Sequence, residues 1–209
     1  QDGALWAEDV KRVIAATGLE RPLLVGWSYG TIVSMDYLRA AGAQSIAGLV
    51  LVGAYGGLTP PPDMSRAPAG LAEARRMQLS PDLADNVQAA YRTVPMLTGR
   101  AMPQEYVARQ VAITLMMPRV AREGMFQRRL DARDLLPSLR GMPLLLEIGA
   151  LDLGMPVKDG EALAKDWPGA RLSVYEGVGH SPFVESPERF NAELGELAER
   201  VHGAQRLAR

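Results

Sequence analysis

The stretch Pro22–Ser34, PLLVGWSYGTIVS, decides how the first part of this chain folds. Its apolar run Leu23–Val25 is short and continuous, which is typical of a parallel strand buried on both faces. A helical pattern begins at Thr31 and stops at Gly42. The pentapeptide Gly26-Trp27-Ser28-Tyr29-Gly30 therefore lies where a strand must turn sharply into a helix.

The serine between the two glycines is a candidate nucleophile. At a very sharp strand-to-helix turn the central residue is strained, and the residues two before and two after it crowd each other and must be small. Such a turn lifts the Ser28 hydroxyl clear of the sheet and sets it near a helix N-terminus, where free N–H groups favour a developing negative charge. A plain turn serine is the alternative, and the strand–turn–helix context weighs against it.

The same alternation of helix and strand runs through both ends of the chain. It predicts an α/β fold with a parallel sheet flanked by helices. The predicted segments are helix Ala4–Thr17, strand Leu23–Val25, helix Thr31–Ala41 and strand Ile46–Val52, then strand Leu144–Ile148, helix Val157–Trp167, strand Leu172–Tyr175 and helix Pro187–His202.

Between these parts, a Gly- and Pro-rich linker at Gly56–Pro62 leads into a block, Asp63–Leu139, without a strand-like run. Helical segments broken by prolines are predicted there, around Ala69–Leu79, Pro81–Thr93, Gln104–Met116 and Val120–Leu130. Most of the chain's ten methionines lie in this block. They indicate either ordinary core packing or a deformable apolar wall over a pocket.

Composition narrows the possible functions. The chain is 47% hydrophobic and 22% charged with a net charge of −1, so nothing favours nucleic acid or an acidic membrane as a partner. The apolar run Ala47–Ala54 is too short to span a bilayer, and we find no signal-peptide pattern, so a cytoplasmic location is expected. The absence of cysteine excludes disulfides, thiolate nucleophiles and cysteine metal sites.

A serine nucleophile needs a base, and the chain has two histidines. His202 lies near the end of the last predicted helix and is expected at the surface. His180 follows the predicted strand Leu172–Tyr175, at the sheet edge that Ser28 also occupies, and open α/β sheets place their sites at that edge. We therefore predict His180 as the base, with a plain loop histidine as the alternative.

The third group should be a carboxylate that orients the imidazole. Asp152 follows the predicted strand Leu144–Ile148 directly, so it should lie at the same sheet edge. The competing carboxylates are less well placed or are explained by surface charge. They are Asp159 in the next helix, Glu147 inside the strand, and Glu176 and Glu185 beside His180.

The order Ser28, Asp152, His180 resembles that of the α/β-hydrolases. The matching motifs are Gly26–Gly30 for the nucleophile elbow, Gly149–Asp152 for the acid loop and Gly177–His180 for the histidine loop. The resemblance implies a hydrolase core in residues 1–57 and 139–209, with a helical lid in residues 58–138. Thr31 stands where many members have a further glycine, which we expect to affect helix packing only.

The resemblance also implies a sheet of about eight strands, and the first four have no counterpart in this sequence. One oxyanion donor is then the backbone N–H of Tyr29, and the second belongs to the missing part. The strand Leu23–Val25 would have an open hydrogen-bonding edge. We expect that an N-terminal fragment of the same protein, or a partner chain, completes the sheet.

These observations predict a serine hydrolase that cleaves small to medium apolar esters through an acyl-enzyme, with no metal or organic cofactor. Trp27, Met116, Met155 and Phe183 are the predicted substrate-binding residues. The alternatives are a carbon–carbon bond hydrolase or a cofactor-free perhydrolase of the haloperoxidase-like group with the same triad. A fourth possibility is a ligand-binding module that uses the fold without catalysis.

Overall fold

The computed structural model describes residues 3–60, 70–128 and 130–207. The elements are α1 (Gly3–Thr17), β1 (Leu23–Trp27), α2 (Gly30–Ala41), β2 (Gly48–Val52), α3 (Leu71–Gln78), α4 (Leu83–Thr93), α5 (Gln104–Leu115), α6 (Arg119–Gln127), α7 (Leu136–Leu139), β3 (Leu144–Gly149), α8 (Val157–Lys165), β4 (Ala170–Tyr175), α9 (Pro182–Glu185) and α10 (Pro187–Leu207). Each predicted helix and strand has a counterpart here, with ends shifted by a few residues. The end of the predicted linker and the start of the first predicted segment of the middle block lie outside the described residues.

The four strands form one parallel sheet in the order β1-β2-β3-β4. Parallel strands need a crossover connection, and helices supply it. α2 connects β1 to β2, and α8 connects β3 to β4. The predicted α/β fold with a parallel sheet flanked by helices is confirmed.

Each face of the sheet is covered by helices. On one face, Leu49, Leu51, Leu144 and Leu146 belong to a core cluster that includes Leu38 of α2 and Leu163 of α8. On the other face, a second cluster joins sheet residues to α10. Its buried members are Ala47, Val50, Val52, Leu145, Phe190, Leu197 and Val201. The apolar runs of β2 and β3 follow from this covering, because both faces of these strands are buried.

The strand β1 differs from its neighbours. Within the described chain it pairs only with β2, so it lies at the edge of the sheet. Val25 is 42% exposed and Trp27 is 38% exposed. Leu24 packs against one core cluster and Leu23 against the other, so both faces of β1 are partly covered. The full burial that the apolar run predicts is not reached, and the open hydrogen-bonding edge expected from the sequence is present among the described residues.

The middle of the chain is helical where it is described. α3 packs against α4, and α4 packs against α5. A small separate cluster of Ala90, Val94 and Val111 forms the core of this helical block. Among the helices that the structure describes, none combines the length and apolarity needed to cross a bilayer.

Candidate active site

Ser28 lies in the turn between β1 and α2 and has a φ of 52°. This left-handed conformation is uncommon for a residue with a side chain and stores strain. A Cβ at Gly26 would lie 2.7 Å from both the Gly30 carbonyl oxygen and the Ser34 Oγ, so only glycine fits there. The crowding predicted for the elbow is thus present at Gly26. At Gly30 it is absent, since a Cβ there would meet no described atom within 4 Å.

Backbone hydrogen bonds hold the turn in place. The Ser28 N–H donates to the Val52 carbonyl oxygen at 2.9 Å, which ties the turn to the end of β2. The buried Thr31 hydroxyl donates to the Ser28 carbonyl oxygen at 2.6 Å. Thr31 therefore fastens the elbow itself, which corrects the expectation that it affects helix packing alone. Tyr29 stands at the N-terminus of α2, where backbone N–H groups lack partners within the helix.

Asp152 and His180 are in direct contact. The His180 Nδ1 lies 2.7 Å from the Asp152 Oδ2, and the Asp152 Oδ1 accepts a hydrogen bond from the Gly154 N–H at 3.0 Å. The Asp152 side chain is 3% exposed, so little solvent screens the contact. Of the carboxylates considered from the sequence, Asp152 is the one brought onto the imidazole.

The elbow also reaches the histidine. The indole N–H of Trp27, the residue before Ser28, donates to the His180 carbonyl oxygen at 2.8 Å, and the two rings lie 5.6 Å apart. Gly53, just after β2, supports the imidazole from the next strand. A Cβ there would lie 2.9 Å from the His180 Nδ1. Sequence reasoning missed Gly53, and its only signal was a glycine directly after a strand.

The acid loop and the histidine loop cross with their backbones in contact. A Cβ at Gly149 would lie 1.9 Å from the Gly179 carbonyl oxygen, so no side chain fits between the loops. The Leu151 N–H donates to the Val178 carbonyl oxygen, and the Ala150 N–H donates to that of Tyr175, both at 2.9 Å. The contact between Asp152 and His180 thus rests on loops that are bonded to each other.

The four residues predicted to bind substrate fall into two groups. Trp27 and Phe183 stack edge to face, with ring centroids 5.2 Å apart, beside His180. Met155 packs against the larger core cluster. Met116 is 79% exposed at the end of α5. Of these four residues, Trp27 contacts His180 directly, and Phe183 is connected to the pair through Trp27.

The other carboxylates have separate surroundings. Asp159 lies in α8, and Glu176 is exposed. Glu185 accepts backbone hydrogen bonds from Gly99 and Gly179, which surface charge does not explain. His202 is exposed on α10, as expected from the sequence.

Glu147 is fully buried inside β3 and has an unusual environment. The Tyr175 hydroxyl lies 2.9 Å from the Glu147 Oε1 and 3.0 Å from the Glu193 Oε2. The Glu147 Oε2 has no hydrogen-bond partner. Burial raises the pKa of Glu147 to about 7, against the Tyr175 hydrogen bond, which lowers it. A neutral Glu147 suits this arrangement, because one tyrosine proton cannot serve two carboxylates.

Within the described residues, no group of three or more His, Asp or Glu side chains is arranged to hold a metal ion. The polar groups at the sheet edge are instead a serine, an imidazole and a carboxylate, each after a different strand.

Comparison with known proteins agrees with this fold. The chain is 30% identical over 190 residues to a pimeloyl-[acyl-carrier protein] methyl ester esterase of Neisseria meningitidis, covering 85% of this chain and 70% of that protein. It is 25% identical over 195 residues to the esterase of that name in Pectobacterium atrosepticum, covering 92% and 76%. Among solved structures, the esterase RhEst1 of Rhodococcus sp. ECU1013 superimposes with a TM-score of 0.81 at 30% identity, covering 96% of this chain and 73% of that one.

These relatives are all esterases, and they support an ester-hydrolysing enzyme in general terms. Residues 2–193 match the alpha/beta hydrolase family. The chain therefore belongs to the alpha/beta hydrolase family.

Proposed function

We propose that the protein is a serine esterase in which Ser28, His180 and Asp152 form the catalytic triad. The observation that carries this proposal is a chain of two contacts. The Asp152 carboxylate meets the His180 imidazole at 2.7 Å, and the residue before Ser28 hydrogen-bonds the His180 backbone at 2.8 Å. The strained Ser28 is thereby linked to a paired imidazole through neighbouring backbone.

In the proposed reaction the Ser28 Oγ attacks the acyl carbon of an ester. His180 takes the hydroxyl proton on Nε2, because Nδ1 is engaged with Asp152. Asp152 holds the imidazole in the required tautomer and stabilises its charged form. His180 then gives the proton to the leaving alcohol. In the second half of the reaction water attacks the acyl-enzyme while His180 takes its proton, and His180 returns that proton to the Ser28 Oγ as the acid is released.

The negative charge of the tetrahedral intermediate needs hydrogen-bond donors. The Tyr29 N–H at the start of α2 is the proposed first donor, since the helix dipole also favours an anion there. The second donor is assigned to a further segment of the same protein that pairs with the outer edge of β1. That edge lies beside Ser28, and about a quarter of the length of the esterase relatives lies outside the matched region.

An apolar acyl group is the proposed substrate feature. Trp27 lies against His180 and Phe183 lies against Trp27, and this aromatic surface is the proposed contact for the acyl group. The proposed acyl chain is uncharged and of small to medium length, because aromatic surface contacts apolar groups more favourably than it contacts carboxylates. Met116 and Met155 are also predicted to bind substrate, but they would reach the acyl group only if other parts of the chain brought them to it.

A fluorophosphonate probe and a series of p-nitrophenyl esters test the proposal. We expect the probe to label the protein and Ser28→Ala to abolish both labelling and hydrolysis, a loss of about 10⁵-fold or more in kcat. Ser138→Ala, which changes a serine hydroxyl on the exposed side of α7, is the control and should keep both. Labelling that survives Ser28→Ala would refute the assignment.

The pairing of β1 is tested separately by intact mass, a denaturing gel and light scattering of the active sample. We expect the chain to occur together with the pairing segment. Without it, hydrolysis should fall about 100- to 1000-fold because one oxyanion donor is lost. If a monomer of this sequence alone were fully active, the assignment of the second oxyanion donor to a further segment would be contradicted.

A further inference from the structure

Glu185, at the end of α9, joins two loops that are distant in sequence. Its Oε1 accepts a hydrogen bond from the Gly179 N–H at 2.8 Å. Its Oε2 accepts one from the Gly99 N–H at 2.9 Å. Gly179 directly precedes His180, and Gly99 belongs to the loop between α4 and α5 of the helical block. Both oxygens of one carboxylate are thus used to hold backbone, and hydrogen bonds to a charged acceptor are the stronger kind.

The two loops touch without side chains between them. A Cβ at Gly99 would lie 2.7 Å from the Gly177 carbonyl oxygen, and a Cβ at Gly179 would lie 2.5 Å from the Gly99 nitrogen. Gly179 also meets Gly149 of the acid loop. The backbone before His180 therefore lies between the acid loop on one side and the helical block on the other.

The Glu185 carboxylate also acts electrostatically on a side chain of the helical block. Tyr106 on α5 is partly buried, and burial together with the nearby Glu185 carboxylate raises its pKa, against the effect of Arg109. Glu185 is accordingly close to the block through a side chain as well as through the Gly99 backbone.

We infer that Glu185 is a positioning residue for catalysis. Its carboxylate fixes the backbone of the histidine loop against the helical block, so that the His180 imidazole stays in line with Asp152. The inference rests on the proposed function, in which His180 is the base. A small displacement of the base from the proton that it takes lowers the rate of proton transfer. Substrate affinity depends instead on the residues that contact the acyl group and should change little.

The substitution Glu185→Gln tests this inference. The amide keeps the size of the side chain but offers one acceptor oxygen, so one of the two backbone N–H groups loses its partner. With p-nitrophenyl butyrate we expect kcat to fall about tenfold while KM stays within about twofold. We also expect the downfield proton NMR signal of the His180 Nδ1–H, which reports the hydrogen bond to Asp152, to broaden or disappear.

Glu176→Gln is the matched control, because it makes the same chemical change at an exposed position four residues before His180. It should leave kcat, KM and the NMR signal as they are. If Glu185→Gln does not fold, Glu185→Asp takes its place, since the charge remains but the shorter side chain cannot reach both N–H groups.

The inference is overturned if the Glu185 variant keeps kcat within twofold, or if kcat falls while the His180 signal is unchanged. The NMR arm needs no substrate. A protein that hydrolyses no ester would therefore refute the proposed function while the effect of Glu185 on His180 is still decided.

Discussion

The two halves of the site are built differently. His180 and Asp152 follow β4 and β3, and the loops that carry them are bonded to each other and in contact at Gly149 and Gly179. Ser28 follows β1, which has β2 on one side and no described strand on the other. Around the elbow the Gly26 side is crowded, whereas the Gly30 side is open.

The proposed acid–base pair is complete within the described residues, whereas the surroundings of the proposed nucleophile are not. The imidazole–carboxylate pair is partly buried and its hydrogen bond is already formed, with the Asp152 side chain 3% exposed. The proposed nucleophile, Ser28, is held by hydrogen bonds with β2 and Thr31, but within the described residues its outer side lacks the second donor that an oxyanion site needs. Five substitutions test this contrast.

The largest effect on kcat is expected at the pair formed by Asp152 and His180. Asp152→Asn keeps the shape of the side chain but favours the wrong tautomer of His180, and we expect kcat to fall about 10⁴-fold. Asp159→Asn in α8 is the matched control and should leave kcat nearly unchanged. Kinetics with a p-nitrophenyl ester measure both. A loss of similar size in the control would mean that the acid has been assigned to the wrong carboxylate.

Two glycine substitutions compare the halves directly. Gly149→Ala sets a methyl group against the Gly179 backbone, so we expect the free energy of unfolding to fall by about 3 kcal/mol or more. Gly30→Ala meets open space and should change it by less than about 1 kcal/mol. Urea denaturation measures both values. Equal losses would contradict the contrast between the interlocked loops and the open side of the elbow.

The free energy of unfolding is expected to depend on pH through Glu147, which lies inside β3, the strand that precedes Asp152. Its pKa is about 7 in the folded protein and about 4.5 when unfolded, so the folded state binds the proton more tightly. The stability that this provides is complete below about pH 4.5 and is lost as the pH rises through 7. Glu147→Gln cannot ionise, and its unfolding free energy relative to the unmodified protein should rise by about 2.5 kcal/mol from pH 5 to pH 8.5.

Chemical denaturation across this pH range measures the Glu147 effect. Glu196→Gln, at an exposed ion pair with Arg171, is the control and should show no such trend. A difference between Glu147→Gln and the unmodified protein that stays constant with pH would show that Glu147 is not neutral in the folded state.

The smallest effect is expected where the two halves meet. Trp27→Phe keeps an aromatic ring beside Phe183 but removes the indole N–H that bonds the His180 carbonyl oxygen. The lost hydrogen bond is worth about 1 kcal/mol, so kcat/KM should fall about fivefold. Steady-state kinetics decide this. An unchanged kcat/KM would mean that the two halves are aligned by the sheet alone.

Much of this architecture could be predicted because it depends on local patterns. The apolar runs of β2 and β3 indicate buried parallel strands, and the turn at Ser28 follows from spaced glycines between a strand and a helix. Asp152 and His180 could be placed at one edge because parallel strands end at the same side of a sheet. Their direct contact in the structure agrees with that argument.

The remaining features depend on atoms far apart in sequence. Nothing near Gly53, Gly99 or Glu185 shows that they contact the histidine loop, because these contacts join separate loops. The exposure of Val25 and Trp27 could not be predicted from periodicity alone, because both residues are as apolar as those of a central strand. An apolar pattern predicts that a strand is suited to burial, but its actual burial depends on which strands and helices lie beside it in the assembled sheet.

The sequence by itself determined the α/β fold, the elbow at Ser28 and the order of the three candidate catalytic residues, because strand, turn and helix signals lie within a few residues of each other. The tertiary structure was needed to see how Glu185 and the crossing glycines hold the histidine loop, and which side of the elbow is open. Those outcomes depend on distances between separate segments, and such distances exist only after the sheet has assembled.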